Sequence, residues 1–329
     1  YNKAAIYNML NRMLALGAQI ILVSSDYSLL AIFIANLVIN FLVVCLEGFM
    51  IYRKLKGYKP VLFKALPERK ELYHFGFWTW LQTIIAIVSY QMDRFLVAWF
   101  LGTATVTYYV LAATIANHLH MAFEAVVGWL LPKISRLKEA IPDTRKYFIS
   151  IRAFSVGFSL LVLLSLYLVN EPLFTLWLGP EKYAKMIGFF KLFMAFEALL
   201  ILSIVPKLYL NGMKALSLIT GLEFMYKSAI IAGMIIFFII AGTAESLIWG
   251  QVVALLIFMP VEYIIVNQKI LKVNPIKEGL LTMVPSVCFI MLVMSDSLLM
   301  TGACLVLALF FYWLIYLRDK NFELKILTE

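Results

Sequence analysis

Charge is scarce in this chain. Of its 329 residues only 14% are Asp, Glu, Lys or Arg, and the 28 basic residues outnumber the 19 acidic ones. Soluble domains carry about 25% charged residues, so an ordinary water-facing surface is excluded. Histidine and cysteine are limited to three each. Cys45, Cys288 and Cys304 all stand in apolar runs, too scattered for a disulfide framework or a metal site, and read as small hydrophobes. Catalytic motifs are missing as well: no Gly-rich phosphate loop ending in Lys-Ser or Lys-Thr, no His-Glu-x-x-His helix and no serine nucleophile elbow. An ATPase or hydrolase is disfavoured, and no catalytic residue, cofactor or metal is expected. A secretory signal is lacking too, and the chain opens on Tyr1, Asn2 and Lys3 without an initiator Met. It is therefore expected to begin partway through a longer protein.

Hydrocarbon is what the chain has in quantity. Apolar residues make up 63% and mean hydropathy is +0.91, against roughly 45–50% apolar in soluble domains. About 20 apolar residues cross a bilayer as a helix, and that rule predicts ten spans. They fall near residues 4–23, 27–53, 74–100, 104–131, 148–169, 184–210, 216–241, 245–268, 279–294 and 297–317. Pro206 and Pro260 lie inside spans and do not veto them, because neighbouring groups can satisfy the freed carbonyls. The expected fold class is all-α, a polytopic integral membrane helix bundle.

Basic residues collect on alternate connections, from Arg53 to Lys70, Lys133 to Lys146, Lys207 and Lys214, Lys269 to Lys277, and Arg318 to Lys325. The other connections hold only Lys182 and Lys185, the longest being an outside loop at 170–183. Such a bias predicts that both ends of the chain face the cytoplasm. It also explains the net charge of +9, since bases at membrane edges meet anionic lipid headgroups and no nucleic-acid partner is required. Loops are short, leaving no room for a soluble domain. The stretch LPKISRLKEAIPDTRKYF at 131–148 reads either as a short surface helix or as a solvated connector.

Polar residues within the spans carry the functional signal. Asp93 and Arg94 sit side by side in an otherwise apolar run, where an ionised group costs at least a few kcal/mol unless it meets a partner, water or a ligand. Helical spacing aligns Asn8, Arg12 and Gln19 on the first span; Asn36, Asn40 and Glu47 on the second; Gln82, Ser89 and Asp93 on the third; and Asn117, His120 and Glu124 on the fourth. Each stripe must face protein or water; together they predict a shared polar cavity, while singly each can be interhelical hydrogen-bond glue. Arg152, near a cytoplasmic end, is expected to snorkel. Glu223 and Lys227, four residues apart, read as a local ion pair. His74 and His118 carry little signal, and the ninth and tenth spans, free of ionisable residues, read as peripheral.

The run from Phe75 to Leu137, with FGFWTWLQ, Gln91, Asp93, Arg94, FLG at 100–102, Tyr108, Tyr109 and LPKISRL at 131–137, resembles the Wzx-type polysaccharide-biosynthesis flippases, members of the multidrug/oligosaccharidyl-lipid/polysaccharide exporter superfamily. The stretch EPLFTLWLGPEKYAKM at 171–186 is similar to that family's next outside loop, and the likeness is clearest over 70–215. The resemblance implies two helical lobes with substrate between them. Here the first lobe is incomplete, about four helices short: residues 1–72 hold its last helix pair and a linker, 73–270 the second lobe, and 271–329 two extra helices and a tail. It further implies a bacterial inner-membrane protein that flips an undecaprenyl-pyrophosphate-linked oligosaccharide by alternating access. Proton or sodium coupling, and polysaccharide polymerase and assembly proteins as partners, belong to the same expectation.

On that reading Arg12 and Arg94 are the anion contacts, with Arg152 behind them; Asn36, Asn40, Gln82, Gln91, Asn117 and His120 offer glycan hydrogen bonds; and Asp93, Glu124 and Glu197 are candidates for ion coupling. Asp93 has a second reading, as the group that orients Arg94 or a neighbouring helix end. Rival functions are a cation-coupled drug exporter of the same fold, a membrane-embedded polymerase or glycosyltransferase, and a membrane scaffold.

Overall fold

A computed structural model describes residues 2–54, 69–128, 141–213, 215–271 and 275–295. The described residues are helical with short turns and no strand, and they fall into two compact units, Tyr1–Arg69 and Lys70–Glu329.

In the first unit α1 (Asn2–Ser24) and α2 (Leu29–Lys54) pack on each other across a turn at Asp26, whose φ is 55°. Large apolar side chains such as Phe33, Phe41 and Phe49 face outward along α2.

The second unit runs through α3 (Arg69–Leu101), α4 (Thr103–Val127), α5 (Ile141–Leu178) and α6 (Pro180–Leu200). A single 3-10 turn at Ile201–Ser203 then leads to α7 (Ile204–Gly212). The unit continues with α8 (Leu216–Ala241), α9 (Ala244–Ile265), a π-helical turn at Val266–Leu271 and α10 (Pro275–Ser295). Its axis is α6, which packs against α4, α5, α9 and α10. Met186, Phe189, Phe190, Leu192, Phe193, Met194, Ala195, Ala198 and Leu199 of α6 are all buried, so from Met186 onward this helix is largely enclosed by protein and mostly apolar. On α10, Cys288, Phe289, Ile290, Leu292 and Val293 are buried where that helix meets α6 and α5.

Seven helices of the described residues are long and apolar enough to cross a membrane, from Leu30–Met50 through Ala244–Gln268, and Met13–Ser24 and Met283–Met294 are shorter apolar helices. The span expected at 297–317 lies outside the described residues. Leu161, Leu168, Leu176, Trp177, Ile239 and Ile240 are exposed, a hydrocarbon surface that water would not tolerate and lipid does. The protein is a polytopic membrane helix bundle.

Two elements depart from the sequence reading. The outside loop expected at 170–183 is helical: α5 continues through Pro172 to Leu178, and one residue, Gly179 at φ 83° and ψ 158°, turns the chain into α6. Only glycine enters that region freely. Gly102, at φ 79° and ψ 167°, makes the same corner between α3 and α4. The stretch at 131–148 divides as well: residues 129–140 lie outside the described residues, and from Ile141 onward the chain is α5.

Proline in the long span has a visible compensation. Pro206 lacks an N–H and displaces the carbonyl four residues back, that of Leu202. The Tyr263 hydroxyl of α9 donates to that same Leu202 oxygen at 3.2 Å, so the freed acceptor is satisfied without water. Glycine sets a close helix contact: a Cβ on Gly250 of α9 would stand 2.2 Å from the Gly233 carbonyl oxygen of α8. The two backbones touch because neither residue has a side chain.

Candidate functional site

Asp93 and Arg94 turn to different partners. The Asp93 Oδ1 accepts from the Arg94 backbone N–H at 2.6 Å, while Oδ2 accepts from the Tyr109 hydroxyl of α4 at 3.1 Å. Gln251 of α9 donates its amide to the same Tyr109 oxygen at 2.9 Å. Three helices are thereby joined through one buried phenol, whose ring packs edge-on against Phe193 of α6 at 5.0 Å. Arg94 instead stacks its guanidinium 4.2 Å over the Tyr90 ring, one turn back on α3, and donates to the Tyr90 hydroxyl. Its Nε has no hydrogen-bond partner among the described residues. The carboxylate braces a neighbouring helix, whereas the guanidinium is held on its own helix and forms no ion pair among the described residues.

A second cluster joins α4 to α6. The His120 Nδ1 lies 2.7 Å from Glu197 Oε1, and its Nε2 lies 3.5 Å from Glu124 Oε1, one turn along α4. Glu197 is 1% exposed, whereas the Glu124 side chain is 53% exposed. An imidazole with an oxygen at each ring nitrogen can take a proton from one carboxyl and release one to the other. The arrangement therefore connects a buried carboxyl to an accessible one.

Elsewhere Gln82 of α3 donates to the Thr220 hydroxyl of α8 at 3.0 Å, and that hydroxyl donates to the Leu216 carbonyl at 2.7 Å. Asn117 lies one turn from His120 on α4, its amide donating to the Met121 sulfur at 3.7 Å. Gln91 is exposed on α3. In the first unit the expected stripes meet as interhelical glue: Gln19 donates to Asn36 Oδ1 at 3.1 Å, and Asn36 and Asn40 donate back to the carbonyls of Ile32 and Asn36 at 3.0 and 2.9 Å. Arg12 lies on α1, its side chain outside the described ones.

Three sequence expectations are corrected. Arg152 does not snorkel. It is 2% exposed, its guanidinium lies between the rings of Phe148 and Tyr263 at 5.2 and 4.9 Å, and it donates to Asn267 of the π-helical turn at 3.2 Å. Aromatic faces and an amide replace the water that the cation would otherwise seek. Glu223 is also not paired along its own helix. Its ion-pair partner is Lys207 of α7 at 3.5 Å, while the Lys227 ammonium lies 5.2 Å over the Tyr226 ring. Lys207 is consequently not a loop charge but a partly buried helical one.

Sequence reasoning missed Tyr109 and Gln251 as partners of Asp93 and of each other. Gln251 carried a usable signal, a lone amide in SLIWGQVVALLI. Tyr109 carried almost none, because a tyrosine in a span is ordinarily packing or interface.

No curated protein and no solved structure matches the chain. The polysaccharide biosynthesis protein family matches residues 1–187, which contain Asp93, Arg94, Tyr109, His120 and Glu124. Glu197 and Gln251, which complete the two polar clusters, lie beyond that match. With more than half of its length matched, and with the membrane bundle and interior polar clusters described above, this chain belongs to the polysaccharide biosynthesis protein family.

Proposed function

We propose that this protein flips an undecaprenyl-pyrophosphate-linked oligosaccharide repeat unit from the cytoplasmic to the outer leaflet of a bacterial inner membrane. The product would serve O-antigen, capsule or exopolysaccharide synthesis, and the mechanism is alternating access rather than catalysis. Family membership supports the class. The observation that carries the reading is the split of Asp93 from Arg94: Asp93 braces Tyr109, while the half-buried Arg94 contacts Tyr90 of its own helix and forms no ion pair among the described residues, so its charge is left for an anion. Asn117, His120, Gln82 and Gln91 lie on the same two helices, α3 and α4, and would offer glycan hydrogen bonds. Arg12, Asn36 and Asn40 lie on α1 and α2 of the first unit and are candidates by the family resemblance.

Glu197, His120 and Glu124 would couple transport to protons, since they join a buried carboxyl to an accessible one through an imidazole. Both termini of the chain would face the cytoplasm, and a polymerase and assembly proteins would take the flipped unit. Residues 73–270 would form the second lobe, preceded by the end of the first and followed by two further helices.

The test is complementation of a flippase-null strain by the complete gene, followed by leaflet translocation of a prenyl-pyrophosphate glycan in proteoliposomes. Translocation is expected for the unmodified protein, and Arg94→Ala should lower its rate about tenfold or more, the worth of a charged hydrogen bond of roughly 1.5–3 kcal/mol. An unchanged rate in Arg94→Ala would remove the anion contact. Failure to complement across several glycan backgrounds, with the protein confirmed in the membrane, would remove the flippase reading.

A further inference from the structure

Two contacts fix how α3 and α8 lie against each other. Gln82 meets Thr220 at 3.0 Å, and the rings of Phe100 and Phe238 stack at 4.3 Å, so the same offset of 138 residues holds at both points. The helices therefore run parallel and in register, with the two contacts about 27 Å apart at 1.5 Å per residue. Lys227 follows Thr220 by two helical turns and precedes Phe238 by three, so it stands on the stripe that α8 turns to α3. Level with it on the facing stripe is Ser89, between Gln82 and Asp93.

This lysine is deep in the bundle. It lies 11 residues inside the 26-residue α8, about 16 Å from the start of that helix, farther than a four-carbon stem can reach back to the membrane surface. Its half-buried side chain also lacks the acid that spacing offers. Glu223 pairs with Lys207 at 3.5 Å, which leaves the Lys227 ammonium 5.2 Å over the Tyr226 ring with no ion pair among the described residues. Tyr226, 4% exposed, is met by both ammoniums, since Lys207 donates to its hydroxyl at 2.8 Å and stands 4.9 Å over its ring. Asp93 of α3 and Glu124 of α4 are engaged elsewhere, with Tyr109 and His120. A cation held inside a membrane bundle is costly unless it meets a partner, water or a ligand.

We propose that Lys227 is the centre of a phosphoryl-binding site between α3 and α8, with Ser89 as a hydroxyl donor from the facing helix. Anions that reach a bundle from the bilayer are headgroups or lipid-linked groups that bear phosphate. Lysine suits them as a compact charge with three donors. On the flippase reading the phosphoryl group is the pyrophosphate of the cargo, with Lys227 supplying from α8 what Arg94 supplies from α3; that choice of source rests on the flippase reading, and the site does not.

Native mass spectrometry of the complete protein released from phosphatidylcholine nanodiscs reads the site through the lipid that stays bound. The discs carry a prenyl pyrophosphate, the matching prenyl alcohol or phosphatidylglycerol. The pyrophosphate should be retained and the alcohol not. Lys227→Gln should weaken retention about tenfold or more, as loss of a charged hydrogen bond does. Lys227→Arg keeps the cation and should recover most of it, and Glu223→Gln, which removes the carboxylate beside both lysines, should strengthen it. Lys227-dependent retention of phosphatidylglycerol without that of the pyrophosphate keeps the site and makes a membrane headgroup its occupant. Unchanged retention in Lys227→Gln, equal losses in Lys227→Gln and Lys227→Arg, or equal retention of the alcohol overturns the site. Lost translocation with Lys227-dependent retention intact removes the flippase reading alone, and a preserved melting transition shows that each variant is folded.

Discussion

Tyr109 has the most to lose at the residue scale. Its hydroxyl donates to Asp93 and accepts from Gln251, both at hydrogen-bond distance inside the bundle. Tyr109→Phe leaves a buried acceptor and a buried donor without partners, and should lower stability by about 1–3 kcal/mol for each group stranded. Thermal melting in detergent measures this. The double variant Tyr109→Phe with Gln251→Leu should be less destabilising than the two single effects added, because the second change removes the group that the first one strands. Additivity would mean that the two residues do not interact.

His120 poses the same question for a buried carboxyl. Its removal leaves the Glu197 carboxyl, 1% exposed, without the ring nitrogen that stands 2.7 Å away. Leaving a buried polar group without its hydrogen-bond partner costs about 1–3 kcal/mol. His120→Ala should therefore melt well below the unmodified protein, and His120→Gln, which can still donate an amide hydrogen, should recover part of the loss. Equal melting of both variants would show that volume rather than hydrogen bonding sets the effect.

Among elements, the α8–α9 pair depends on the absence of two side chains. Gly250→Ala would place a methyl within 2.2 Å of the Gly233 carbonyl oxygen, and backbone cannot yield as a flexible side chain does. The helices must separate, and overpacking of this kind costs about 1–3 kcal/mol. Gly221 of α8 is the control: a Cβ there meets nothing within 4 Å, so Gly221→Ala should be neutral or stabilising by up to about 1 kcal/mol through helix propensity. A melting comparison of the two alanine variants decides the point. The corner at Gly179 is a second such element, and Gly179→Val should lower stability by about 1–3 kcal/mol, since φ 83° with ψ 158° suits only glycine. Space is not the reason there, because nothing lies within 4 Å of a Cβ at that position.

At the scale of the whole molecule, membrane residence and helical class were legible in composition, because lipid imposes one rule on every residue of a span. That is why the spans beginning near residues 27, 74, 104, 216 and 245 match α2, α3, α4, α8 and α9 within a few residues. It is also why 170–183 misled. Asn170, Glu171, Pro172 and Gly179 have the composition of a loop, yet Tyr183 of α6 donates to Asn170 at 2.6 Å and α5 continues to Leu178. Polar residues at a helix end can be satisfied by a neighbouring helix, and no local signal announces that neighbour.

Candidate residues divide along the same line. Asp93, His120, Glu124 and Glu197 stood out in the sequence because ions inside an apolar run are costly wherever they point. Their roles did not, because a partner can lie far away in the chain: His120 meets Glu197 and Tyr109 meets Gln251. Spacing favoured Lys227 as the partner of Glu223, four residues along one helix, whereas packing brought Lys207 from another helix to 3.5 Å. By itself the sequence determined that this chain is a helical bundle in a membrane with ions held inside it, since those conclusions follow from the transfer energy of each residue. Only the tertiary structure decided which ion meets which and that Arg152 is enclosed, because partner choice follows from how whole helices pack and not from any residue's own preference.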